Sequence, residues 1–148
     1  MTVYPPGALY DRLAIRISMP HPPKRLTERS QRAAFSRGMR QFNSLKFWHA
    51  HESWELIWLS APQPDKTFLQ GIIQVAAAFY HHQKENHVGM RSLMRRGLAK
   101  LEGFPEGYRE VRLEELRRAL RDWLAADSQG EALPQAYPRL RRKKARGR

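Results

Sequence analysis

The chain has 148 residues, a length that suits one domain and is enough to enclose a hydrophobic core. It contains no cysteine, so disulfides, thiolate zinc sites and a cysteine nucleophile are excluded, and any metal would need nitrogen and oxygen ligands. The formal net charge of +13 is unevenly placed: about half of the excess lies between Arg139 and Arg148, on Arg139, Arg141, Arg142, Lys143, Lys144, Arg146 and Arg148, with no acidic residue among them.

Residues 1–26 hold Pro5, Pro6, Pro20, Pro22 and Pro23 and show little periodicity, which predicts an extended arm. The start has no basic segment followed by an apolar run, so no secretory signal is expected. No stretch reaches the apolar length needed to span a bilayer. The expectation is a cytoplasmic protein with no membrane partner.

Residues 27–127 read as a helical domain. Thr27-Glu28 marks a helix start, followed by apolar Ala34, Phe35, Met39 and Phe42. Asn43-Ser44 punctuates, and Ser44 is placed to cap a second helix running to about Leu59. Ser60 to Pro64 is a loop. Asp65 is placed to cap a third helix, about Lys66 to Gln83, and the chain turns again near Glu85-Asn86. A fourth helix, about Val88 to Glu102, carries Met90, Leu93, Met94, Gly97, Leu98 and Leu101 on one face and ends at Gly103 and Pro105. A fifth, about Val111 to Ala126, buries Leu113, Leu116, Leu120, Trp123 and Leu124 and pairs Glu114 with Arg118 on its outer face. Residues 128–148 read as a linker and a disordered basic tail. Nothing reads as a strand, and short connections favour antiparallel neighbours. The predicted fold class is therefore all-α, a compact antiparallel bundle of about five helices.

The second and third helices carry the chemistry. The run Phe47-Trp48-His49-Ala50-His51-Glu52-Ser53-Trp54-Glu55-Leu56-Ile57-Trp58 is apolar and Trp-rich, yet it contains His51, Glu52 and Glu55. Polar groups in an apolar helix are costly unless paired, so they call for a hydrogen-bond network, a metal or a catalytic pocket. His51 and Glu55 share a face, with Glu52 to the side. On the third helix Gly71, Gln74, Ala78 and His81 recur at helical spacing and form one narrow stripe. The simplest packing sets the His51/Glu55 stripe against the Gln74/His81 stripe, with Glu55 accepting from His81 or Gln74.

Three readings follow. The buried cluster His51, Glu55, Gln74 and His81 locks helix register or lines a small pocket, as polar core residues do. Alternatively, His51, Glu55 and His81 hold zinc, iron or manganese, with Glu52 as catalytic general base on a metal-bound water. The zinc-hydrolase pattern would need a second histidine at position 55, where this chain has Glu55. His82 and His87 read as solvated helix-end residues. In the third reading the seven basic tail residues bind nucleic acid or another polyanion through phosphate contacts, assisted by Arg95, Arg96 and Lys100. No aromatic residue is interleaved among the last ten, so base stacking is not indicated. The Trp-rich second helix would also offer an apolar face for a homodimer.

Two blocks resemble a known family. Phe42-Asn43, Phe47, Ala50-His51-Glu52, Trp54-Glu55 and Trp58 fit the first; Gln70-Gly71-Ile72-Ile73-Gln74, Ala76, Ala78, His81, Asn86 and Gly89 fit the second. The chain is similar, from about Phe35 to Leu124, to the small helical family catalogued as domain of unknown function 309. The resemblance implies an all-helical bundle in which the His-Glu motif and the Gly-Ile-Ile-Gln helix pack together. Members have been labelled predicted metal-dependent hydrolases, which implies a metal at the His and Glu positions. The family often carries an acidic residue where this chain has His49, a departure that bears on any carboxylate-rich site. The weight of the residues falls on a binding or structural protein, with the hydrolase and the nucleic-acid accessory protein as the alternatives.

Overall fold

The computed structural model describes residues 25–144; the proline-rich arm up to residue 24 and the tail arginines Arg146 and Arg148 lie outside the described residues. Among the described residues five helices follow one another: α1 (Glu28–Asn43), α2 (Phe47–Trp58), α3 (Asp65–Gln83), α4 (His87–Leu101) and α5 (Leu113–Ser128), with a 3-10 turn at Tyr108–Glu110. Among the described residues there is no strand, only an isolated antiparallel bridge between Val111 and Arg142. Successive helices pack on each other, and the α3–α4 contact is the most extensive. None of the described helices is long and apolar enough to cross a membrane.

Helix ends show where local and tertiary demands agree. Thr27 Oγ1 accepts from the Ser30 amide at 3.1 Å, and Asn86 Oδ1 accepts from the Gly89 amide at 3.0 Å, so α1 and α4 start on side-chain caps. The other two predicted caps are corrected. Ser44 closes α1 instead, its amide bonding the carbonyls of Arg40 and Gln41, while Leu45 turns the chain at φ 63° and α2 starts at Phe47 without a side-chain cap. Asp65 is the first residue of α3 and its carboxylate is held by Arg109; Gln63 Oε1 accepts from the Thr67 amide at 3.1 Å in its place. The predicted Glu114–Arg118 pair is also replaced, since Glu114 meets Arg117 and Arg121 at 3.2 Å each. Arg117 is turned inward because its Nη1 donates to the carbonyls of Leu101 and Phe104, which lie at and just beyond the C-terminus of α4.

α3 forms the centre. Phe68, Leu69, Ile72, Ile73 and Phe79 are fully buried, as an almost uniformly apolar helix requires. Two glycines permit close approaches. A Cβ at Gly97 would lie 2.9 Å from the Gly71 carbonyl, so α4 can lean directly onto the α3 backbone. A Cβ at Gly38 would strike the Trp54 indole that joins α1 to α2. Trp54 and Trp58 are buried and Trp48 is partly so, which places the indoles expected to drive dimerisation largely inside the bundle.

The segment after α5 returns over the helices. The Tyr137 ring lies against Phe47, Phe79 and Trp123, and the Leu140 side chain is buried. Asn43 clamps Leu140 from both sides: its Nδ2 donates to the Leu140 carbonyl at 2.9 Å, and its Oδ1 accepts from the Leu140 amide at 2.7 Å. The amide of Lys143 bonds the Glu110 carbonyl, and that of Arg112 bonds the Arg141 carbonyl. A stretch expected to be a free basic tail is thus laid along the bundle as far as Lys143, because Tyr137 and Leu140 supply apolar anchors within it. Asn43→Ala should destabilise the chain by about 1–3 kcal/mol and speed amide exchange at residues 137–143. Unchanged exchange there would show that the clamp does not hold the segment.

Candidate functional site

The inward face of α2 runs Phe47, Ala50, His51, Trp54, Glu55 and Trp58, all buried. One helical turn separates His51 from Glu55, and His51 Nε2 lies 3.2 Å from Glu55 Oε2 with each side chain about 1% exposed. The Trp48 ring covers the imidazole at 4.6 Å, and Tyr80 of α3 lies 5.0 Å from Trp48. His49, Glu52 and Leu56 occupy the opposite, exposed face. Glu52, the expected general base, therefore stands in solvent, because one residue of helix rotation carries it about 100° away from His51.

The polar stripe of α3 meets α4 at several points. A Cβ on Gly71 would touch Leu101 and Lys100, and Gln74 Oε1 accepts from Lys100 Nζ at 3.1 Å. Burial pushes the Lys100 ammonium below its ordinary pKa, and the nearby Arg96 charge adds to that. His81 meets the cap of α4: its Nδ1 lies 3.1 Å from Asn86 Nδ2. Asn86 Oδ1 is already occupied by the Gly89 amide, so the Asn86 amide nitrogen is the donor and His81 Nδ1 is the acceptor. His81 is then neutral with its proton on Nε2, in keeping with the lowering of its pKa by burial. Glycine permits these contacts: Gly71, Gly89 and Gly97 line the α3–α4 seam, where a Cβ would crowd the facing groups.

The fit of a metal follows from these positions. The ligands expected from the sequence are His51, Glu55 and His81, with Glu52 beside them. Glu52 points outward, and one nitrogen of His81 is engaged by Asn86. Among the described residues no group of three or more His, Asp or Glu side chains is gathered so that it could hold a metal ion. The donor set expected for zinc, iron or manganese does not fit.

Two features escaped the sequence reading. His82, expected in solvent, is half-buried: its Nδ1 lies 2.6 Å from the Tyr137 hydroxyl and its ring 5.0 Å from that of Trp123. Burial lowers its pKa, and His87 nearby lowers it further. The only signal available was a tyrosine, Tyr137, isolated in a polar segment. The second feature is the Asp65–Arg109 ion pair, a bidentate contact that joins the start of α3 to the loop between α4 and α5. The described tail cations Arg139, Arg141, Arg142, Lys143 and Lys144 are all exposed, and two of them are paired at the surface: Arg141 with Glu115 at 3.2 Å and Arg142 with Glu110 at 3.3 Å.

Residues 35–93 match the model of a family described as Domain of unknown function (DUF309), which is the family that the two sequence blocks resemble. The match spans most of α1 and runs into α4, so it contains His51, Glu55, Gln74 and His81. No curated protein matches the chain.

Proposed function

We propose that this chain, whose residues 35–93 match that family's model, works as a binding or structural helical module and not as a hydrolase. One observation carries the reading: His51 and Glu55 form a buried pair within a single helix, under Trp48, while Glu52 faces solvent. A hydrolytic site needs a base or a metal-bound water that substrate can reach. A pair about 1% exposed offers substrate no such access, and its geometry suits fixing the rotation of α2 instead. Among the described residues this reading leaves polyanion binding to the exposed tail cations Arg139, Arg141, Arg142, Lys143 and Lys144.

Elemental analysis of the full chain, purified without chelator, tests the proposal. The expected result is no stoichiometric zinc, iron or manganese, in the native chain as in His51→Ala. Stoichiometric metal that disappears in His51→Ala would overturn it and restore the hydrolase, with His51, Glu55 and His81 as ligands.

A further inference from the structure

A cleft of about 420 Å³ opens between α1, the 3-10 turn and the returning C-terminal segment, lined by Arg32, Phe35, Ser36, Arg109, Glu110 and Arg142. Three arginines from three separate parts of the chain border it. Arg109 is held rigidly: Nε donates to Asp65 Oδ1 at 2.7 Å, Nη2 bonds Oδ2, and the guanidinium lies 4.9 Å from the Phe35 ring centre. Arg142 Nη2 donates to Ser36 Oγ at 2.6 Å and Nη1 to Glu110 Oε2 at 3.3 Å. Arg32 reaches Glu28 only at 3.8 Å, on an exposed surface.

The backbone is unusual at the same place. Arg109 and Glu110 have φ of 50° and 60°, the left-handed region that ordinary side chains avoid. Glycine would relieve that strain, yet both positions carry long charged side chains that line the cleft. Strain of this kind concentrates at ligand clamps, where surrounding contacts over-determine the conformation.

We propose that this cleft binds a small phosphate-bearing ligand, whose phosphate replaces the Glu110 carboxylate on Arg142 and is shared with Arg32 and Arg109. The Glu110 side chain is 73% exposed, so it can swing into water when displaced. In the free protein it holds the guanidinium of Arg142 in place, as a ligand oxygen would. A tetrahedral dianion suits the site better than a carboxylate, because several oxygens can meet planar guanidinium forks from different directions. The returning segment is part of the site, since it brings Arg142 to the cleft.

Titration of the full chain with inorganic phosphate and with pyrophosphate at low ionic strength, followed by amide chemical shifts, tests this. Saturable shifts are expected at residues 32–36, 109–110 and 142. Arg142→Gln should weaken binding roughly tenfold, and Glu110→Gln should tighten it by about threefold because the competing carboxylate is gone. Arg32→Gln, on an exposed helix face, should weaken binding without altering the fold. Acetate binding as tightly as phosphate would overturn the multidentate reading. Shifts confined to other residues, equal affinity in Arg142→Gln, or unchanged affinity in Glu110→Gln would overturn the site itself. Binding of an RNA oligonucleotide with no response to phosphate or pyrophosphate would overturn the small-ligand assignment.

Discussion

Gly38→Ala is expected to destabilise the bundle by about 2–4 kcal/mol, read as a lower urea midpoint at unchanged slope. On helix propensity alone the change should be favourable by roughly 1 kcal/mol, since glycine is a poor helix former. Packing reverses the sign. The new Cβ would lie 2.1 Å from Trp54 Nε1 and 2.6 Å from Cδ1. The indole has nowhere to retreat: it is fully buried, with Phe35 and Phe42 rings at 6.2 and 6.1 Å. Its Nε1 also donates to the Phe35 carbonyl at 3.2 Å, so any displacement strands a buried donor. Gly103→Ala is the matched control. Its nearest neighbour would be the Lys100 carbonyl at 3.6 Å, ordinary contact, and a change within about 0.5 kcal/mol is expected. A Gly38→Ala midpoint indistinguishable from that of Gly103→Ala would mean that α1 and α2 do not meet at this glycine.

The same contrast explains what could be read from residues alone. The five described helices are legible in the sequence because each is carried by periodicity or by continuous apolar character, which are local properties. α3 is the clearest case, with Phe68 through Phe79 apolar nearly all round. Thr27 was legible as a cap because its partner is three residues away. Ser44 and Asp65 looked equivalent to Thr27, but an oxygen that can cap a helix can also serve something distant. Asp65 is taken by Arg109, which lies 44 residues along the chain.

The site failed to be legible for a related reason. A helical wheel shows that Gly71, Gln74, Ala78 and His81 share a stripe, but not which helix lies against it. That choice was made by Gly97 and Lys100, whose relevance appears only once α3 and α4 are docked. Glu52 posed the same problem within one helix, where its neighbour His51 faces the core and it does not. Tyr137 and Leu140 were invisible because single apolar residues in a basic segment have no period to betray them. They nevertheless hold the last described turn of chain in place and so create the arginine-lined cleft.

Glu55→Ala is expected to lower the unfolding free energy by about 3 kcal/mol, in the range for removing one partner of a buried ionic or hydrogen-bonded pair. Glu52→Ala, one turn position away but exposed, should change it by less than about 0.5 kcal/mol. The pair itself is isolated by a double-mutant cycle with His51→Ala. If His51 and Glu55 act on each other across 3.2 Å, the double variant should be more stable than the sum of the singles implies, by about 1–3 kcal/mol. Replacing both by apolar residues of similar volume (His51→Leu with Glu55→Met) goes further. A pair that only fixes rotation of α2 is dispensable for stability, so this double variant should match or exceed the native chain. Its specificity role would then show elsewhere, as broadened amide resonances on α2 and α3 where one packing gives way to several. A Glu55→Ala loss under about 1 kcal/mol would remove the premise that this carboxylate is committed to the core. An apolar double variant that folds to a single well-dispersed state would show that the pair is not the register lock, and would leave ligand binding as its reason to exist.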